Sequence, residues 1–335
     1  MKKISSVLIA TLLTISGFSQ LSNNPSYQIL NMEEFALAED ELQEPQDTVW
    51  WTGGLFSFNF SQVSFSNWAA GGVNSISGVA MANFYANMKK GKSKWDNSLN
   101  LAYGLLDQKN LDVVKTDDVI NLLSNYGYQA WNEKWYYSAF AEFRSQFAEG
   151  LDPDTRSRIS DFMSPGYITA GLGIENKPNE NLSFFISPVT AKWTIVNDQD
   201  LADVGAFGVA PGNPILDGSG VPTGQFEPGT GEKVRSEFGA YFRGRFQDEL
   251  MENVTFVTNL NLFQNFETPT RIDINWDALL GFKVNKYISC TLGAAAIYDH
   301  DVLILKDADD ANATPYNGRA VQFKEVFNLG FLYNF

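Results

Sequence analysis

The chain ends in the stretch Phe327-Asn-Leu-Gly-Phe-Leu-Tyr-Asn-Phe335, in which every second side chain is large and apolar. The apolar members are Phe327, Leu329, Phe331, Tyr333 and Phe335. The residues between them are mostly small or polar, and alternate side chains of a β-strand point to opposite faces. The segment is therefore predicted to be a strand with one aromatic face and one more polar face.

This terminal pattern resembles the C-terminal signal that the insertion machinery reads in bacterial outer-membrane β-barrel proteins. Phe331, Tyr333 and Phe335 are the candidate assembly signal. The resemblance implies that the barrel-assembly machinery is a partner during biogenesis. The alternative is that the segment is the last strand of a soluble sandwich.

Similar alternation recurs along the chain from Trp50 onward, in about twelve segments bounded by turn residues. Their approximate spans are 53–65, 73–90, 93–108, 117–130, 134–148, 165–176, 181–196, 233–247, 253–267, 271–284, 287–299 and 319–335. In the clearest three, between residues 233 and 284, apolar residues share one face and charged or amide residues share the other. The predicted fold class is all-β: a transmembrane antiparallel up-and-down β-barrel of about 12 strands.

Two features favour a membrane barrel over a soluble sandwich. The predicted strands often reach about 15 residues, whereas soluble strands average about five or six. The connections alternate between short turns and mostly long loops, which is typical of outer-membrane barrels. An even number of strands also places both termini on the periplasmic side. The predicted location is the outer membrane of a Gram-negative bacterium, with membrane lipid as a partner.

The N-terminal part is predicted to lie outside the barrel. Residues 1–19 combine a basic start, a short apolar run and a cleavage region of small residues, as secretory signal peptides do. Residues 20–49 are rich in Asp and Glu and are predicted to form an acidic periplasmic segment, either solvated or partner-binding. Residues 50–335 then form the barrel.

Composition excludes several classes of protein. The net charge is −15, so nucleic acid, which requires a basic face, is not an expected partner. The single cysteine, Cys290, excludes an internal disulfide. No cofactor motif is present, and no cofactor is predicted.

The first half of the barrel carries motifs of a known family. These are Trp51-Thr-Gly-Gly54, Phe60-Ser-Gln62, Asn67-Trp-Ala-Ala-Gly-Gly-Val-Asn74, Lys94-Trp-Asp-Asn97, Leu101-Ala-Tyr-Gly104 and Ser124-Asn-Tyr-Gly127. Together they resemble a Bacteroidetes family of outer-membrane β-barrels catalogued as domain of unknown function 3078. The resemblance implies a Gram-negative envelope barrel. It implies no activity and no functional residues.

Charged residues fall on the predicted lumen face of the later strands. The candidate lumen charges are Arg235, Glu237, Arg243, Arg245, Arg271, Asp273, Asp277 and Lys283. The four arginines are predicted to form a basic ladder, with the three acids as the nearest counter-charges. A barrel of about twelve strands lies between filled and open barrels in size, so a salt-bridged plug and a water-filled path both remain open.

Three further candidates lie in predicted loops. Trp68, Gly71 and Gly72 mark the first outer loop, either as a ligand contact or as a Trp anchor with a glycine turn. His300, between Asp299 and Asp301, is a candidate general base without a nucleophile motif. Asp307, Asp309 and Asp310 form a weak calcium candidate that lacks the glycine and distal glutamate of a calcium loop. The Gly/Pro-rich loop 198–231 is predicted to be flexible, and it is long enough to fold into the lumen as a constriction or to reach a partner.

Three functions follow as alternatives. The first is a narrow channel for small polar or anionic solutes. The second is a non-transporting envelope protein that is an accessory subunit of a larger outer-membrane or secretion assembly, with another envelope protein as its partner. The third is a surface hydrolase that uses His300. The first two fit the sequence better, and the protein is not expected to be an enzyme.

Overall fold

The structure is a computed structural model that describes residues 49–64, 74–109, 112–152, 155–285, 287–302, 304–306 and 316–334. Twelve strands close into one antiparallel barrel. They are β1 (Trp50–Val63), β2 (Ser75–Lys90), β3 (Ser93–Gln108), β4 (Val114–Gln129), β5 (Trp135–Ser145), β8 (Gly166–Asn176), β9 (Leu182–Ile195), β12 (Val234–Met251), β13 (Val254–Asn265), β14 (Ile272–Lys283), β15 (Ile288–Tyr298) and β18 (Gln322–Asn334). The predicted fold class is confirmed.

The remaining elements lie in the connections between barrel strands. They are the hairpin β6 (Gly150–Leu151) with β7 (Arg158–Ser160), the helix α1 (Gln199–Asp203), the hairpin β10 (Pro214–Leu216) with β11 (Pro222–Phe226), and the hairpin β16 (Ile304–Lys306) with β17 (Tyr316–Gly318). No helix in the described ranges is long and apolar enough to cross a membrane.

Each barrel strand pairs with the barrel strands that precede and follow it in the chain, and β1 pairs with β18 to close the ring. This closing seam runs from Leu55 opposite Asn334 to Asn59 opposite Gly330. The β1–β2 pair, by comparison, runs from Trp50 opposite Met88 to Val63 opposite Ser75. Closure leaves no unpaired edge, which lets a β-structure exist inside a bilayer.

The outer surface of the barrel is apolar. Large apolar side chains that point outward are more than half exposed, among them Phe56, Phe58, Leu172, Ile186, Phe238, Phe327 and Phe331. The alternate positions on the same strands point inward and are buried, as with Asn59 on β1 and Glu237 on β12. Polar groups inside and apolar groups outside is the arrangement of a membrane barrel and the reverse of a soluble sandwich.

An aromatic belt lies at one end of the barrel along strands β1 to β5. Trp50 packs on Trp95 with ring centroids 5.6 Å apart, and Trp131 packs on Trp135 at 5.7 Å. All four side chains are exposed at strand ends beside the short turns. Aromatic rings in such positions sit at the membrane–water interface, so this belt marks one boundary of the bilayer.

The two ends of the barrel differ. Short turns join β2 to β3, β4 to β5, β8 to β9, β12 to β13 and β14 to β15, and β1 starts at the same end. We call this the short-turn end. The connections that carry hairpins and α1 lie at the opposite end, called here the loop end.

The loop between β9 and β12 is folded, so its predicted flexibility is wrong. Val196, Leu201, Ala202 and Val209 form a small buried core against Ala206 and Phe207. Asp198 caps α1 by accepting a hydrogen bond from the backbone N–H of Leu201. Asp203 accepts from the N–H groups of Gly229 and Gly231, both at 2.7 Å. Apolar contacts and carboxylate caps therefore order a segment that its glycine and proline content suggested was loose.

Candidate functional site

The lumen is crossed at mid-height by an aromatic cluster. Its members are the buried rings of Phe140, Phe185, Tyr241 and Phe263, with Leu123 packed against them. Phe140 stacks on Tyr241 with centroids 5.1 Å apart, although β5 and β12 are separated by β8 and β9 in the ring. Neighbouring strands lie about 4.8 Å apart, so rings from strands three steps apart in the ring meet by extending into the lumen. The Tyr241 hydroxyl donates to Asn261 Oδ1 at 2.9 Å, so its polar end is also satisfied.

An ionic cluster lies between the aromatic cluster and the loop end. Lys192 Nζ on β9 is 2.8 Å from Asp273 Oδ2 on β14 and 3.6 Å from Asp299 Oδ2. It is also 3.7 Å from Glu237 Oε2 on the adjacent strand β12. The Lys192 side chain is only 11% exposed. A buried ammonium needs this many oxygen partners because it has lost its water.

Arg235 extends this cluster toward the loop end. Its guanidinium is 3.0 Å from Glu237 and 3.3 Å from Asp301. Arg271 reaches the other oxygen of Asp301 at 4.0 Å and is almost half exposed. A Cβ placed on Gly208 would lie 2.5 Å from Nη1 of Arg235, so the folded β9–β12 loop lies directly against the cluster. We call Lys192, Arg235, Glu237, Asp273, Asp299 and Asp301 the outer ionic cluster.

Other ion pairs also connect strands that are not neighbours. Lys324 on β18 is 3.0 Å from Asp117 on β4, with β1, β2 and β3 between them in the ring. Lys94 on β3 is 2.6 Å from Glu175 on β8, with β4 and β5 between them. These pairs brace the barrel from the inside at several heights.

The wider cavity of the lumen, about 370 Å³, lies on the short-turn side of the aromatic cluster. We call it the vestibule. Its walls carry nine amide side chains, of Asn87, Asn97, Asn100, Asn121, Asn125, Asn181, Gln247, Asn259 and Asn261. Arg243 and Arg245 also line it. A smaller cavity of about 70 Å³ lies on the loop side and shares Glu142, Tyr241 and Asn261 with the vestibule.

The predicted basic ladder is divided. Arg235 and Arg271 lie at the loop end beside Asp301. Arg243 lines the vestibule and stacks on Phe140 at 5.1 Å, while Arg245 donates to Gln247 at 2.5 Å. The four arginines therefore do not form one continuous basic path.

The three predicted counter-charges differ in their partners. Glu237 pairs with Arg235, as predicted. Asp273 pairs with Lys192 instead of an arginine. Asp277 accepts a hydrogen bond from Asn259 at 2.9 Å. Lys283, at the short-turn end of β14, lies opposite Ser289 of β15 in the pairing of the two strands.

His300 does not have the surroundings of a general base. Its Nδ1 is 3.2 Å from the Tyr298 hydroxyl. The flanking carboxylates were predicted to orient the imidazole, but Asp299 faces Lys192 and Asp301 faces Arg235. The geometry therefore does not reproduce the predicted acid–imidazole arrangement.

Several predicted features fall outside the residues that the structure describes. They are the signal peptide 1–19, the acidic segment up to residue 48, the loop residues Trp68, Gly71 and Gly72, the calcium candidates Asp307, Asp309 and Asp310, and the terminal Phe335. Phe331 and Tyr333 of the assembly signal are 66% and 60% exposed on the outer face of β18. In the described ranges no group of acidic, histidine or cysteine side chains is arranged to hold a metal ion.

Sequence analysis missed the aromatic cluster. Tyr241 lies in phase with the lumen charges Arg243 and Arg245 on β12, and Phe185 on β9 pairs with Arg243 across the two strands. Phase alone was therefore sufficient to place Tyr241 inside the barrel. It could not show that rings from β5, β9, β12 and β13 meet across the lumen.

The structure is similar to several solved outer-membrane proteins, at low sequence identity. The translocator domain of the autotransporter NalP from Neisseria meningitidis is 9% identical, with 91% of this chain and 95% of that chain covered and a TM-score of 0.35. Outer membrane phospholipase A from Escherichia coli is 11% identical, with 91% and 98% covered and a TM-score of 0.35. The toluene transporter TodX from Pseudomonas putida is 10% identical, with 95% of each chain covered and a TM-score of 0.31.

No curated protein matches this chain. The match to a family lies in the first half of the barrel, where the sequence motifs were found. Residues 60–151 match the family described as a protein of unknown function (DUF3078), which confirms the resemblance over that part of the chain.

Proposed function

We propose that this protein is an outer-membrane barrel with a closed lumen, which acts in the envelope as a non-transporting protein. The observation that carries this proposal is the bracing of the interior. The aromatic cluster and the outer ionic cluster both join strands that are not neighbours. An open pore of this size would need those side chains to lie back against the wall.

The energy of the outer ionic cluster supports a closed resting state. Opening a path through it would separate Lys192 from Asp273 and Asp299 inside the barrel. Breaking a buried ion pair typically costs about 3–5 kcal/mol because an uncompensated charge remains. The cluster also contacts the folded β9–β12 loop through Arg235, which adds further contacts that opening would break.

The proposal includes an orientation and partners. The short-turn end faces the periplasm, with both termini there, and the folded loops face the outside, as in outer-membrane barrels generally. Membrane lipid covers the apolar outer face, and the barrel-assembly machinery acts during biogenesis. The two polar ends are the surfaces available to another envelope protein, for which this chain would be an accessory subunit.

Planar-bilayer conductance of the refolded full-length protein tests the closed lumen. Wild-type protein is expected to give no stepwise current. Because the two clusters lie in series, the triple variant Phe140→Ala/Tyr241→Ala/Lys192→Ala, which removes two stacked rings and the central cation of the outer ionic cluster, is expected to give steps. Phe58→Ala is the matched control, because it removes a ring from the lipid-facing surface. Regular steps from wild-type protein would overturn the proposal.

A narrow anion channel is the second candidate, and one observation favours it. The two cavities share Glu142, Tyr241 and Asn261 as lining residues, and Arg243 and Arg245 line the wider one. Under this function wild-type protein would conduct anions over cations, and Arg243→Glu with Arg245→Glu would reverse the preference. The selectivity would fade toward about 1 M salt, where the Debye length is about 3 Å.

A further inference from the structure

Arg243 lies in the vestibule wall among aromatic rings, with no carboxylate at salt-bridge distance. Its guanidinium carbon lies 5.1 Å from the ring centre of Phe140, 5.6 Å from that of Phe185 and 5.9 Å from that of Tyr241. Three rings fix the plane of the group by cation–π contact. Among the residues that the structure describes, no carboxylate lies within salt-bridge distance of Arg243, and no side chain or backbone group hydrogen-bonds to it.

Three of the four acids that line the vestibule are paired with other cations, and the fourth, Glu180, is exposed in the turn between β8 and β9. Glu175 is 2.6 Å from Lys94 and 3.7 Å from Lys177. Glu142 is 3.6 Å from Arg144, and Asp96 is 3.9 Å from Lys94. Arg243 thus lines this wall with no carboxylate at salt-bridge distance, and Glu175, the acid that acts on it electrostatically, is paired with Lys94. A planar guanidinium with free donors favours carboxylate or phosphate, which it binds with two parallel hydrogen bonds.

The amide side chains of the vestibule indicate a second property of the ligand. Asn121 is 7% exposed and lines the vestibule, and its Oδ1 atom has no hydrogen-bond partner. Oδ1 of Asn125, also in the wall, is likewise without a partner. A buried amide oxygen without a partner costs free energy. Both residues line the cavity, and a rotation of each amide would let its oxygen accept from hydroxyl or N–H donors on a molecule there.

We infer that the vestibule is a binding site for a small carboxylate that also carries hydroxyl groups, such as a sugar acid. The carboxylate binds the guanidinium of Arg243, and the hydroxyl groups donate to the amide oxygens of Asn121 and Asn125. The volume of about 370 Å³ lies at the lower end of the range of small-molecule sites, about 300–1,000 Å³. Lys177 and Asn181 of the β8–β9 turn and Gln247 near the short-turn end of β12 line the vestibule, so the ligand enters from that end. This inference does not depend on whether the lumen conducts.

Calorimetric titration of the full-length protein in detergent tests the inference. The probes are D-glucuronate, which has both features, glucose, which lacks the carboxylate, and acetate, which lacks the hydroxyl groups. Glucuronate is expected to bind at least about tenfold more tightly than either, since a hydrogen bond to a charged group contributes about 1.5–3 kcal/mol. Inorganic phosphate is the fourth probe, and tighter binding of phosphate than of glucuronate would overturn the assignment to a sugar acid.

Variants locate the site. Arg243→Gln is expected to weaken glucuronate binding at least about tenfold, and Asn121→Ala should weaken glucuronate but not acetate. Lys92→Gln is the matched control, because it removes a positive charge from an exposed short turn outside the vestibule. If Arg243→Gln fails to fold, Arg243→Lys keeps the charge and loses the two-bond geometry, and it should still weaken binding. Absence of glucuronate binding to wild-type protein, or unchanged binding in the Arg243 and Asn121 variants, would overturn the inference.

Discussion

Lys192 keeps its charge inside the barrel because three carboxylates surround it. Asp273, Asp299 and Glu237 all lie within 3.7 Å of its ammonium nitrogen. Removing the lysine leaves several acids close together with little water. The cost is then set by uncompensated charge and not by lost packing.

Replacing this lysine is therefore expected to destabilise the barrel strongly. Lys192→Ala should lower the free energy of unfolding by about 3–5 kcal/mol, measured by tryptophan fluorescence during urea unfolding of the refolded barrel. Lys92→Ala, at an exposed turn, should change it by less than about 0.5 kcal/mol. Similar effects of the two substitutions would show that the outer ionic cluster does not stabilise the barrel.

Asp203 makes the stability of the β9–β12 loop depend on pH. Hydrogen bonds from the backbone N–H groups of Gly231 and Gly229 hold the pKa of its carboxyl below the ordinary value. A carboxyl with a lowered folded-state pKa stabilises the loop above the unfolded pKa of about 3.9 and loses that effect as pH falls through the folded value. Hydrogen exchange of residues 196–233 should therefore be slow at pH 7 and pH 5, after correction for intrinsic rates, and faster below about pH 4. Asp203→Ala should exchange rapidly at all three values, and a loop that stays protected in that variant would contradict the role of the carboxylate.

For single residues, the sequence predicts which face of the barrel wall a side chain lies on, but it does not predict the partner of that side chain. The side of the wall on which Arg235, Glu237 and Arg243 lie follows from the two-residue period of a strand. Their partners do not follow from it, because a partner across the lumen depends on which strands face each other and at what height. Lys192 and Asp273 are 81 positions apart in the chain, and no local pattern connects them.

At the scale of elements, the strands were more predictable than the loops. Alternation over a dozen residues places every barrel strand and the twelve-strand count. The β9–β12 loop was predicted from its glycines and prolines to be flexible, yet Val196, Leu201 and Val209 bury against one another. Four apolar residues scattered over a loop have no period, so their packing could not be predicted from the sequence.

The closing seam between β1 and β18 depends on one glycine. A Cβ built on Gly330 would overlap the side-chain oxygen of Asn59, which is buried opposite it in the seam. Gly330→Ala is expected to destabilise the barrel by about 1–3 kcal/mol through overpacking, seen as a lower temperature of heat-modified migration on gels. Gly78→Ala is the matched control on β2, since its nearest neighbour would be Phe58 at an ordinary 3.5 Å. Equal transition temperatures for the two variants would show that the seam tolerates a side chain at Gly330.

At the scale of the whole molecule, the two ends of the barrel differ in structure. The aromatic belt of Trp50, Trp95, Trp131 and Trp135 fixes the short-turn end at one membrane boundary. The loop end carries the ordered hairpins and α1, and Arg158 on β7 is 2.6 Å from Asp198 beside α1. This ion pair joins two neighbouring loops into one outer surface. Under the proposed function, these two polar ends are the surfaces that contact other molecules at each side of the membrane.

The orientation of the barrel can be tested on intact cells. Gly218 and Gly220 in the β10–β11 hairpin have open space around them, so an epitope inserted between Ser219 and Gly220 should not disturb the fold. Because the loops are expected to face outward, an antibody should bind this epitope on intact cells. An epitope between Asn179 and Glu180, both exposed in a short turn, should be detected only after the outer membrane is permeabilised. The reverse pattern would place the vestibule on the outside, and its ligand would then enter from the medium and not from the periplasm.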